Sequence, residues 1–135
     1  MDFSIDDTTI RIFLHLLGVT VWVGGQIVLG ALIPVIRRLG EDAPRKAARQ
    51  FNRVAWPFFG LAVVTGIWNT AEVDFDATTT GWKAALFVKL ILVAVSGVTA
   101  WMHTRARNAA ARGAFAAATL LASLGALLLG TGLVT

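Results

Sequence analysis

Between Arg11 and Ile36 the chain is apolar almost without interruption, and inside that run stands one imidazole. The central stretch reads His15-Leu-Leu-Gly18-Val-Thr-Val-Trp22-Val-Gly24-Gly25-Gln26. About 20 apolar residues cross the hydrocarbon of a bilayer as one helix, so a run of this length fixes the surroundings in which the chain folds. An ionisable group inside such a span must have its desolvation offset by a partner, which makes His15 the first functional candidate.

Three further apolar runs follow, and the spacing predicts four spans over about 9–36, 51–71, 82–103 and 113–134. The expected class is all-α, an integral membrane four-helix antiparallel bundle forming a single domain over 1–135. Composition agrees: 56% of the 135 residues are hydrophobic and the mean hydropathy is +0.70, more apolar than ordinary soluble domains. Asp42 followed by Pro44 is a helix-start signature that places the start of the second helix near Ala43. The acidic opening Met1-Asp2-Phe3-Ser4-Ile5-Asp6-Asp7 lacks the basic start of a signal peptide, so the first helix is expected to be retained.

Charge sets the expected orientation. Arg37, Arg38, Arg45, Lys46, Arg49 and Arg53 flank the first connection and Arg105, Arg107 and Arg112 the third, whereas Arg11 and Lys83 stand among acids. Cytoplasmic loops retain Lys and Arg, which predicts a multi-pass cell-membrane protein with both termini extracytoplasmic. The net charge of +4 is spread over helix ends, so a nucleic-acid partner is not expected. With no cysteine, disulfides, thiolate metal ligands and redox thiols are excluded, and the remaining soft or borderline ligands are His15, His103, Met1 and Met102.

Helical periodicity sorts the polar groups. His15, Gly18, Trp22, Gly25 and Leu29 recur at three-four spacing, as do Lys89, Val93, Ser96, Ala100 and His103, so each polar group shares a stripe with small residues. A flat macrocycle or a neighbouring backbone can use the space the small residues leave. From the rise of about 1.5 Å per residue, His15, Thr65, Asn69, Lys89 and Gly130 fall at similar depth in the outer half. Lys89 either snorkels to the outer interface or meets an anion, and no Asp or Glu lies within the four apolar runs. His15 can equally be a structural histidine bonded to a neighbouring helix. Trp56 and Trp101, then Trp68 and Trp82, look like interfacial belts, while Trp22 stands mid-span with an indole N–H that needs a partner.

The pattern of His15 with Gly18 and Trp22-Val-Gly24-Gly25, Arg53 leading a span with Thr65-Gly66, and Gly81-Trp82 with Val88-Lys89-Leu90 resembles the CopD-like copper-resistance membrane domain. It is similar also to the small HemJ-type protoporphyrinogen oxidases, and the likeness covers nearly the whole chain. That resemblance implies a haem b held by His15 and Lys89, with Arg53 as a further correspondence. Trp82-Lys83-Ala84 departs from the Trp-Leu-His run more frequent in that family, and His103 is an additional histidine.

The expectation that follows is a haem-b membrane protein in electron transfer or sensing, served by a membrane redox partner. His15 would be the axial ligand, and Lys89 the opposite ligand or the partner of a propionate. Gly18, Trp22, Arg53, Thr65 and Asn69 line the expected cofactor site. Copper transport is the alternative, short of ligands since copper(I) favours thiolates and thioethers. Haem-dependent protoporphyrinogen oxidation is a third reading, and a structural subunit of a larger complex a fourth. His15 and His103 lie on the order of 20 Å apart along the membrane normal by helical rise, too far to share one iron, so His103 belongs to the inner interface or to a separate metal site. The small-residue rows Gly18 with Gly25, and Ala122 with Ala126 and Gly130, suggest that protomers self-associate into a homo-oligomer.

Overall fold

The computed structural model describes residues 2–135; Met1, one of the soft ligands named above, lies outside the described residues. Four long helices account for the fold: α1 (Asp7–Arg37), α2 (Ala43–Ala71), α3 (Thr80–Arg105) and α4 (Ala109–Val134), each long and apolar enough to cross a membrane. The protein is all-α and of the multi-pass membrane class. It divides into two compact units, one ending at Val73 and the other Asp74–Thr135.

In the first unit α1 and α2 form an antiparallel hairpin, visible in its contacts: His15 meets Ala62 and Thr65, Gly18 faces Phe58 and Ala62, and Gly25 faces Phe51. The tight approach at Gly18 requires the missing side chain, since a Cβ there would lie 2.7 Å from the carbonyl oxygen of Phe58 and 2.8 Å from the amide of Ala62. The neighbouring backbone, not a macrocycle, fills that space. Asp6 starts α1 by accepting from the Thr9 amide and hydroxyl. These bonds hold its exposed carboxyl below the usual carboxylate range.

The α1–α2 connection turns at Gly40, whose φ of +143° lies outside the range side-chain-bearing residues favour. Helix α2 begins at Ala43 as expected, with Asp42 at the cap position, although the Asp42 side chain makes no capping bond.

Helix α1 is not regular throughout. Thr20–Gly24 is a π-helical turn, so the three-four stripe from His15 does not pass unchanged through this segment, and Trp22 and its neighbour Val23 are both buried. Gln26 donates from its side-chain amide to the Trp22 carbonyl at 2.9 Å, supplying a partner where the helical ladder is wider.

The second unit is the hairpin α3–α4, again antiparallel. The Trp82 indole donates to the Leu133 carbonyl at 3.1 Å, Lys89 lies against Gly130 and Leu92 against Gly125. Further along, Thr99 bonds Thr119 at 2.8 Å and His103 bonds the Arg112 carbonyl at 2.8 Å. Both helices start earlier than the apolar pattern indicated. Thr79 caps α3 through the Trp82 amide and Asn108 caps α4 through the Ala111 amide, so the helices begin at Thr80 and Ala109 and not at Trp82 and Gly113. Ahead of α3, Phe75–Ala77 forms a single 3-10 turn.

The four tryptophans expected in interfacial belts differ in burial. Trp56 is half-buried and packs edge-on to Trp22 with ring centroids 5.2 Å apart. Trp82 is likewise half-buried and anchored by its bond to Leu133. Trp68 and Trp101 are exposed.

Candidate functional site

The polar centre of the first unit is His15. Its Nδ1 lies 2.9 Å from the Ala62 carbonyl oxygen and 3.1 Å from Thr65 Oγ1. A carbonyl oxygen can only accept, so Nδ1 carries the proton. Thr65 fits the same assignment: its single hydroxyl proton points to Leu61 O at 2.6 Å, which leaves the oxygen lone pair facing the ring. In the neutral imidazole, Nε2 then holds the basic lone pair. Fixing one ring nitrogen on a carbonyl so that the other is the basic one is how proteins orient ligating histidines.

Gly66 makes room for the ring. A Cβ there would stand 3.2 Å from His15 Cε1 and 3.6 Å from Nδ1, so the imidazole seats against the α2 backbone. Thr65 is buried and Asn69, one turn on, is half-buried on the same helix face. The expected grouping of His15 with Thr65 is thus real in the hairpin.

Trp22 is 6% exposed and its Nε1–H is buried with no hydrogen-bond partner among the described residues. Its ring is held by Trp56 and by Phe59, whose centroid is 4.4 Å away. A buried unsatisfied donor costs about 1–3 kcal/mol, so the mid-span indole identified from sequence is the most conspicuous polar defect of this unit. Gly18 is buried against α2, and Arg53 points out, exposed on α2.

In the second unit Lys89 is half-buried. Its Nζ lies 3.1 Å and its Cε 3.3 Å from where a Gly130 Cβ would be, so the bare glycine opens the place that the ammonium occupies. Among the described residues Lys89 has neither a hydrogen-bonding nor an ion-pair partner. The bond from His103 Nδ1 to the Arg112 carbonyl ties the end of α3 to the first turn of α4.

The π-helical turn and the Nδ1–Ala62 bond are the features the residue pattern did not announce. Gly66 carried a signal, standing beside Thr65 at the level of His15.

No family model matches the chain, and neither does any curated protein or solved structure.

Proposed function

We propose that the chain is a haem-b-binding multi-pass membrane protein in which His15 supplies the axial nitrogen through Nε2. The observation that supports this is the 2.9 Å bond from Nδ1 to the Ala62 carbonyl, which makes Nε2 the basic nitrogen and fixes the ring plane. The donor chemistry fits the group. A porphyrin brings four nitrogens of its own and asks the protein for one or two axial ligands, and the first unit offers one imidazole. Copper(I) held by protein side chains favours several thiolate or thioether donors, and the chain has no cysteine. A bound haem b supplies a one-electron iron couple.

Residue roles under this reading follow from their chemistry. Ala62 and Thr65 orient the imidazole, Gly66 admits it, and the Trp22 indole offers a donor to an acceptor group of a bound molecule. Lys89 is the cation for an acidic group, since its own hairpin provides none. Protoporphyrinogen oxidation would add a substrate to this cofactor and rests on the family resemblance alone.

The electronic absorption spectrum of the detergent-purified chain tests the reading. A Soret band that scales with protein and is lost or much reduced in His15→Ala is the expected result. Haem-free protein after expression with excess haem, or an unchanged band in His15→Ala, counts against it.

The orientation proposed with it places both termini outside the cytoplasm, because the first and third connections carry the Lys and Arg excess. A cysteine introduced at Thr78 should react with an impermeant reagent on intact cells, and one at Ala43 should be protected. The reverse pattern would invert the topology.

A further inference from the structure

Helix α2 is longer than a membrane needs. Its 29 residues span about 43 Å at 1.5 Å per residue, against a hydrocarbon thickness of about 30 Å. The surplus is roughly nine residues at that rise. The acidic end at Glu72 and the onset of the apolar run at Phe51 put that surplus at the N-terminal end, over 43–51.

This extension carries Arg45, Lys46 and Arg49, with Arg53 one turn further where the apolar run begins. Positions 45, 49 and 53 follow one another at four-residue spacing and 46 lies three before 49, so the four cations form one stripe along the helix. All four are exposed, whereas Ala43, Ala47 and Ala48 are less so. Arg37 and Arg38, also exposed, close α1 just before the turn. None of these cations has an ion-pair or hydrogen-bonding partner among the described residues, although Glu41 and Asp42 stand close in sequence. Leu39, at the turn between the two groups, is 77% exposed.

Unpaired cations at and just beyond the level where a span leaves the hydrocarbon are the elements of a headgroup-binding surface. We propose that the Arg45–Lys46–Arg49–Arg53 face of α2 binds anionic phospholipid headgroups. The phosphates supply the counter-charges that Glu41 and Asp42 do not. Arginine suits this role because its guanidinium meets a phosphate through two parallel N–H bonds.

The test uses the full chain reconstituted in phosphatidylcholine bilayers containing spin-labelled phosphatidylglycerol or spin-labelled phosphatidylcholine. The relative association of the two labels with the protein is read by electron paramagnetic resonance. The wild type should prefer phosphatidylglycerol severalfold at low salt. Each cation near an anionic surface contributes at most about fivefold, and the preference should shrink in about 1 M NaCl as screening becomes strong. The R45Q/K46Q/R49Q/R53Q variant should lose most of the preference, and R45K/R49K/R53K should retain a substantial part of it. Helical circular dichroism of both variants establishes that the comparison is between folded proteins; were the quadruple variant unfolded, the pair R45Q/R49Q read against R45K/R49K replaces it. Equal association of both labels with the wild type overturns the proposal, and so does a preference that survives neutralisation. Inorganic phosphate displacing labelled phosphatidylglycerol better than sodium chloride of equal ionic strength would make this a free-anion site and would equally overturn it.

Discussion

His15 Nδ1 lies 2.9 Å from the carbonyl oxygen of Ala62, a residue 47 positions away in sequence. That one bond joins the two helices of the first hairpin, fixes the tautomer of the ring and makes Nε2 its basic nitrogen. It also sits beside Gly66, where the α2 backbone comes close to the imidazole.

Close packing in this hairpin depends on Gly18. A methyl group there would press on the backbone at Phe58 and Ala62, neither of which can move without separating the helices. Gly18→Ala should therefore cost about 1–3 kcal/mol, the usual range for overpacking. Gly60, with nothing within 4 Å of its would-be Cβ, should accept alanine with no loss and a gain of up to about 1 kcal/mol from helix propensity. Thermal unfolding in one detergent, followed by circular dichroism, distinguishes the two. Equal midpoints would mean that the α1–α2 approach is looser than described.

Trp22 separates packing from hydrogen bonding. Trp22→Ala removes a buried ring that touches Trp56 and Phe59 and should cost about 3–5 kcal/mol. In haem-free protein, Trp22→Phe keeps an aromatic ring and deletes the unsatisfied donor, so its cost should be smaller by about 1–3 kcal/mol. If the indole meets a bound molecule, Trp22→Phe should weaken cofactor retention while destabilising the haem-free protein less than Trp22→Ala does. Matching losses in the phenylalanine and alanine variants would refute this division.

In the second hairpin, Lys89 and Gly130 form a coupled pair. The ammonium occupies the space above the bare glycine without a partner among the described residues, so Lys89→Met should raise the melting temperature of the ligand-free protein. Gly130→Leu should lower it in the wild-type background and less so beside Lys89→Met. Strictly additive effects in the double-mutant cycle would show that the two positions do not sense each other.

How much of this was legible in the sequence differs by feature. The four helices and the start of α2 follow from apolar run length and from Asp42 with Pro44, because hydrophobic length and caps are local properties. Thr79 and Asn108 are good caps too. They lie outside the apolar runs, so a reading led by hydrophobicity starts α3 two residues late and α4 four. The pairing of His15 with Thr65 was accessible through helical rise. The π-helical turn at Thr20–Gly24 was not, since its only sequence correlate, a Gly24-Gly25 pair, also suits ordinary close packing. Nor does sequence distinguish the glycine that faces a backbone, Gly18, from the one that faces nothing, Gly60. That depends on the register of the neighbouring helix.

Axial ligation of a bound haem by His15 Nε2 underlies every role proposed for the first hairpin, and chemical rescue measures it. In His15→Gly the cavity left by the ring can admit free imidazole. The variant, purified with haem offered, should lose the wild-type Soret and α-band positions and regain them on adding imidazole, while His103→Ala keeps the wild-type spectrum throughout. A His15→Gly protein that retains the wild-type haem spectrum without imidazole would contradict this ligation, as would a folded wild type that takes up no haem.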